Sequence, residues 1–247
     1  MASLTGKVAI VTGSSRGIGR AIAERFAADD ASVVVNYARS ADEAHRVVAG
    51  IEAKGGKAIA LQADFGIVAD VRRLFRDTIA KFGRVDIVVN NAWAVARGVP
   101  KAFAEITEDE FEASFTHNAR GSFFLMQEAA RTIGDHGRII NVTTAGTSIC
   151  PPGFSIYVGG KCAMEAFSTT LAAELAARGI TVNIVSSGAV ETKMFRDLPG
   201  EVQTMLEQRT PLGMGQPRDI AGMVAFLAGE EGHWITNEKI RVDGGAR

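Results

Sequence analysis

The sequence predicts an α/β fold, a doubly wound and mostly parallel sheet with helices on both faces, and three observations predict it. Val8–Thr12, Ser32–Asn36, Ala58–Leu61, Val85–Val89, Arg138–Val142 and Thr181–Val185 are short runs rich in β-branched residues. They are nearly continuous in apolar character, as strands buried on both faces are. Between them lie Ile18–Ala28, Ala41–Lys54, Val68–Phe82, Glu108–Ile133 and Ser155–Arg178, with apolar residues at the three- and four-residue spacing of a helix. The regular alternation of the two patterns is the third observation, because repeated β-α-β units require right-handed crossovers and helices on both sides.

The elements follow in order. Glu108–Ile133 is too long for one ordinary helix, so a break or a close packing contact is expected near Gly121. Gly56, Gly83 and Gly137, each followed by Lys or Arg and a strand, are expected as left-handed helix C-caps. Asp219–Ala228 and Lys239–Val242 supply the last helix and strand. No linker, charge block or low-complexity segment interrupts the 247 residues, which fit a single domain over 1–247.

Composition narrows the function classes. A formal net charge of −1 gives no basic field for nucleic acid or an acidic membrane face. No stretch reaches the ~20 apolar residues of a membrane span, and Met1–Lys7 has no signal-peptide pattern, so a cytoplasmic protein is expected. Cys150 and Cys162 are too few for a disulfide framework and are expected as free thiols packed like small hydrophobes. His45, His117, His136 and His233 lack metal-ligand spacing, so no metal site is expected.

Directly after the first strand comes Gly13-Ser14-Ser15-Arg16-Gly17-Ile18-Gly19, opening a helix. Such a Rossmann-type turn needs a tight bend, bare backbone against a pyrophosphate and close helix–strand packing, all of which glycine permits. Ordinary tight turns also use glycine; the position between first strand and first helix favours the phosphate reading. Gly13, Ser15, Arg16, Gly17, Ile18 and Gly19 are the expected contacts. The second strand ends Asn36-Tyr37-Ala38-Arg39-Ser40, with no carboxylate to repel a 2′-phosphate. Arg16, Arg39 and Ser40 are placed to hold one, with Asn36 and Tyr37 beside them, so NADP(H) is the expected cofactor; otherwise the arginines are merely solvated.

Tyr157 and Lys161 stand at i and i+4 on one helix face. An ammonium nearby favours the phenolate and so is expected to lower the tyrosine pKa toward neutrality. Alone, the pair is common by chance. Taken with Thr12-Gly13-Ser14-Ser15-Arg16-Gly17-Ile18-Gly19, Asn90-Asn91-Ala92, Asn118 and Val242-Asp243-Gly244-Gly245, the chain is similar to the short-chain dehydrogenase/reductase family over essentially its whole length.

The resemblance implies roles. Tyr157 would be the general acid for carbonyl reduction or the base for alcohol oxidation. Lys161 would hold the nicotinamide ribose, and Asn118 would anchor a relay water. Asp64 would lie near the adenine, Asn90 near the ribose, and Gly188 and Thr192 near the nicotinamide. It implies a homotetramer built partly on the Glu108–Ile133 and Ser155–Arg178 helices, and a variable substrate segment, 189–212, whose Met194, Phe195, Leu198, Met205 and Leu206 form an apolar lid.

Three positions depart from the family pattern: Thr144 replaces the substrate-orienting serine, Trp93 follows Asn-Asn-Ala in place of glycine, and Ser187 precedes Gly188 in place of proline. Thr144 keeps a hydroxyl for a carbonyl oxygen. Trp93 either walls the pocket beside Thr144 and Met194 or turns away into packing. The expected activity is NADPH-dependent reduction of a small ketone or aldehyde. The same residues serve an alcohol dehydrogenase running in reverse, and a cofactor-binding protein with little catalysis is the reading from another class.

Overall fold

The computed structural model of the chain describes residues 3–93 and 100–246, so part of the Met1–Lys7 reading falls outside it. The elements, in chain order, are β1 (Val8–Val11), α1 (Gly17–Ala28), β2 (Ser32–Tyr37), α2 (Ala41–Glu52), β3 (Lys57–Gln62), α3 (Val68–Phe82) and β4 (Ile87–Asn90). Then come α4 (Glu108–Phe115), α5 (Gly121–Thr132), β5 (Arg138–Thr144), α6 (Gly146–Ile149), α7 (Ser155–Leu175) and β6 (Thr181–Ser187). The chain closes with α8 (Lys193–Arg196), α9 (Gly200–Gln208), α10 (Pro217–Ala228) and β7 (Lys239–Val242).

Among the described residues seven strands pair in parallel, in the order β3-β2-β1-β4-β5-β6-β7. The order reverses at β1, which lies between β2 and β4, and a doubly wound sheet opens its binding crevice at such a point. Alternate side chains of each strand enter opposite cores. Ala9, Val11, Val33 and Val35 pack with Ile22 and Phe26 of α1 and Val224 of α10, whereas Ile10 and Val34 pack with Leu74 of α3, Leu125 of α5 and Met164 of α7. Both faces are therefore dry, which is why these strands lack polar alternation.

The helix expected to break near Gly121 does so. A π-helical turn, Thr116–Arg120, separates α4 from α5, and a Cβ on Gly121 would lie 2.8 Å from the Phe65 carbonyl oxygen. The C-cap reading needs correction at two glycines. Gly83 is left-handed with φ 80°, but Gly55 and His136 take the positive φ at the other two turns. Gly56 and Gly137 are required for space: a Cβ would lie 2.8 Å and 2.6 Å from the side chains of Ile51 and Ile133. β5 and β6 run on to Thr144 and Ser187, past the apolar residues, because the ladder continues as Thr143↔Ser186 and Thr144↔Ser187. That extension carries Thr144 to the carboxyl edge of the sheet. Among the described residues no helix is long and apolar enough to cross a membrane.

Candidate active site

The glycine loop is set by short polar side chains that turn inward. Thr12 Oγ1 donates to the Val89 carbonyl (3.1 Å) and accepts from the amides of Asn91 and Ala92 (2.8 Å each), welding the end of β1 to that of β4. Ser14 Oγ donates to the Val11 carbonyl and accepts from the Asn36 amide, while Gly13 N donates to Asn36 Oδ1. Asn36 is buried, and its Nδ2 bonds the Leu61 carbonyl, so it shapes the floor of the loop. Gly13 and Gly17 have φ of 61° and 56°, where a side chain is strained. A Cβ on Gly19 would meet the Gly13 carbonyl oxygen at 2.5 Å.

No side chain caps α1, so its first N–H groups are left for an anion. At its rim Arg16 donates to Ser40, and its Nε lies 3.2 Å from Glu43 Oε2. No acid lies at the β2 end, as expected, but Glu43 reaches Arg16 from α2. Arg39 is exposed and Tyr37 half-buried beside them; Ser15 is buried and Ile18 lines the site. Across the crevice, Asn90 is buried with Nδ2 lacking a hydrogen-bond partner. Asp64 accepts from Gly66 N (2.9 Å) and lies 3.2 Å from His117 Nε2. This pairing of His117 joins the turn after β3 to the π-helical turn that holds Asn118. This surface, with an open helix N-terminus, two arginines and an orphaned amide, fits a phosphorylated dinucleotide.

On the other side of the sheet edge the reactive groups converge. Tyr157 and Lys161 project from one face of α7, and the Thr144 hydroxyl is close enough to that of Tyr157 to favour its phenolate. Lys161 is buried, with Nζ donating to the Val142 carbonyl at 2.8 Å and lying 4.5 Å from the centre of the Trp93 ring. The expected lowering of the Tyr157 pKa by Lys161 is not found. Burial pushes the phenol up, and the Thr144 hydroxyl opposes it only in part. Lys161 is itself brought down to about 7 by burial, with the Glu165 carboxylate acting the other way. Its ammonium is held by a carbonyl and an indole. Asn118 is buried on the π-helical turn, and its Nδ2 donates to Ser114 Oγ.

Trp93 does not turn away. Its indole stands edge-on to Tyr157 with centroids 4.7 Å apart, in room left by Gly160, where a Cβ would lie 3.1 Å from the ring. Thr144, Tyr157, Lys161 and Trp93 share a cavity of about 250 Å³ with Ile149 and Phe154. Met194, Phe195, Leu198, Met205 and Leu206 also line it, from α8, α9 and the turn between them. Thr192 caps α8 by accepting from Phe195 N, and its methyl lies 3.6 Å from where a Gly17 Cβ would be. Gly188 packs on Asp243, where a Cβ would meet the backbone at 2.6 Å, which accounts for the glycine. Cys150, at the left-handed cap of α6, and Cys162 on α7 are both exposed, contrary to the packed-hydrophobe reading. Among the described residues no His, Cys, Asp and Glu group could hold a metal.

Comparison with known proteins places this geometry. The family model described as enoyl-(acyl carrier protein) reductase matches residues 13–247. A short-chain dehydrogenase of Burkholderia cenocepacia, solved with NADP, is 40% identical with a TM-score of 0.92, covering 98% of each chain. An angucycline C-6 ketoreductase solved with NADP is 39% identical with a TM-score of 0.91, covering 99% of this chain and 96% of that one. The tetrahydroxynaphthalene reductase of Pyricularia oryzae is 37% identical over 99% of this chain and 91% of its own length. With a parallel sheet that turns at β1, a glycine loop at that turn and a tyrosine–lysine pair beside it, the chain belongs to the short-chain dehydrogenase/reductase family.

Proposed function

We propose that the protein reduces a carbonyl group on a flat, polycyclic phenolic compound, using NADPH, with Tyr157 as the general acid. The observation that carries this reading is the convergence of Thr144, Tyr157 and Lys161 in one largely apolar cavity. The Gly13–Gly19 loop, Arg16, Arg39, Ser40, Asp64, Asn90, Gly188 and Thr192 would hold NADPH, which would supply the hydride. The Thr144 and Tyr157 hydroxyls lie close to each other, and each can turn its one proton to the same carbonyl oxygen and stabilise the charge that develops there. Tyr157 then gives its proton to that oxygen. Lys161, in its charged form, stabilises the phenolate left behind, and Asn118 on the adjoining turn holds the path by which the proton is restored.

The substrate class follows from the walls. Trp93, Phe154 and Ile149 offer flat apolar surface, the 189–212 segment closes over it, and the relatives named for a naphthol and an angucycline act on fused rings. The exposed Phe123 of α5, edge-on to Phe167 of α7, supports burial of that face by further copies of the chain. The test is NADPH consumption across fused-ring phenolic ketones, simple ketones, aldehydes and an enoyl thioester. Turnover greatest with fused rings is expected. Turnover of the enoyl thioester alone would overturn the reading, as would tight NADPH binding with no turnover of any compound.

A further inference from the structure

A polar cluster stands behind the catalytic pair, on the same helix. Glu165 lies one turn beyond Lys161, and its Oε1 accepts from Thr143 Oγ1 (2.9 Å) at the end of β5 and lies 2.8 Å from Thr147 Oγ1 in α6. Its Oε2 accepts from Lys239 Nζ of β7 at 2.9 Å. Lys239 spends its other two donors on Thr147 Oγ1 (2.7 Å) and Ser148 Oγ (3.3 Å), so all three N–H groups of the ammonium are satisfied. Thr147 Oγ1 lies 2.8 Å from the Thr144 carbonyl as well. The residue before Thr144 and the turn after it are thus both fastened to one carboxylate.

The cluster is largely out of water, with the side chains of Glu165 and Lys239 only 17% and 29% exposed. A network of this kind is rigid when complete and costly when partly satisfied. Surface solubility does not require it, and nothing in the fold requires a carboxylate facing the sheet from α7. We propose that Glu165, neutralised by Lys239, is a positioning residue for the reaction: it fixes Thr144 against Tyr157 and sets the negative charge beside Lys161. This rests on the reading of Tyr157 and Lys161 as the reactive pair.

Its electrostatic side has a definite sign. Among the described residues, the charged and titratable groups around Lys161 are Glu165, Tyr157 and Cys162 on its own helix, Lys239 of β7, which pairs with Glu165, and Cys150 after α6, which with Glu165 and Lys239 acts on Cys162. From β5 Lys161 meets a carbonyl and from the β4 end an indole, both uncharged. Glu165 opposes the burial that strips Lys161 of its proton. Removing the Glu165 charge therefore lets Lys161 lose its proton at lower pH. Removing the Lys239 charge leaves Glu165 un-neutralised and has the reverse effect.

The experiment is the pH profile of kcat/KM for carbonyl reduction at saturating NADPH, in the full-length parent, Glu165→Gln, Lys239→Met and Tyr157→Phe, with thermal melts to verify folding. The alkaline limb is expected to move down by about one pH unit in Glu165→Gln and upward in Lys239→Met, since a neighbouring opposite charge shifts a pKa by ~1–3 units. A cluster that only stiffens the fold would lower the rate in both variants and leave the limb in place. Limbs that stay where the parent's are, or move together, overturn the proposal. If Glu165→Gln does not fold, the upward shift in Lys239→Met decides alone. Near-parent turnover in Tyr157→Phe would instead overturn the underlying catalytic reading.

Discussion

The two sides of the crevice are built on opposite principles. On the β1–β4 side, Thr12, Ser14, Asn36 and Asn91 all turn their polar atoms onto backbone, leaving the helix N–H groups and bare glycines toward the crevice. On the other side the cavity is walled largely by apolar side chains, among them Trp93, Ile149, Phe154 and those of 189–212, with Thr144, Tyr157 and Lys161 set in that wall. The first arrangement recognises a ligand by backbone geometry and admits few alternatives. The second recognises by shape and surface, which side chains on short helices readily retune. One side is specified by what is missing, the other by what fills it.

Substitutions can break this contrast, starting at the polar residues of the cavity wall. Tyr157→Phe is expected to lower kcat/KM by ~10²–10⁴-fold, with the NADPH dissociation constant, read by fluorescence titration, close to the parent's. Thr144→Ala should cost ~10²–10³-fold in kcat, the penalty for losing one donor to a developing oxyanion. Thr144→Ser should stay near the parent, because only the hydroxyl is needed; equal rates for the two variants would remove Thr144 from the chemistry.

On the β1–β4 side, Arg39→Asp is expected to weaken NADPH by roughly 10- to 100-fold, about the worth of a charge-assisted hydrogen bond, and to leave NADH little affected. Calorimetry with both cofactors reads this directly. An equal loss for the two would move Arg39 away from the 2′-phosphate.

The smallest effect is on stability. Burial lowers Lys161 from 10.5 to about 7, so between those values the unfolded chain holds a proton that the folded, cofactor-free chain has released. Stability from this group is therefore full above 10.5 and lost as pH falls through about 7. Lys161→Met should remove that slope, making the variant more stable than the parent at pH 6, by less than the ~5 kcal/mol that the shift carries because the Val142 carbonyl loses its donor, with the gap closing toward pH 10, as urea melts would show.

How much of this was legible in the sequence divides along the same line. The strands, the break near Gly121, the glycine loop and the Tyr157–Lys161 face all follow from local pattern, because a helix repeats every 3.6 residues, a buried strand is apolar throughout, and a tight turn excludes side chains. What only the tertiary structure decided concerns residues far apart in the chain. Gly56 and Gly137 are glycine because of a neighbouring isoleucine and not because of φ. His117 meets Asp64 and Glu165 meets Lys239 across gaps of dozens of residues, so neither pairing leaves a local pattern. Trp93 faces Tyr157 because Gly160, on another element, leaves the space. The direction of the Tyr157 pKa was also misjudged from sequence: spacing reveals which charge is close, but burial outweighed it, and burial is a property of the packed whole.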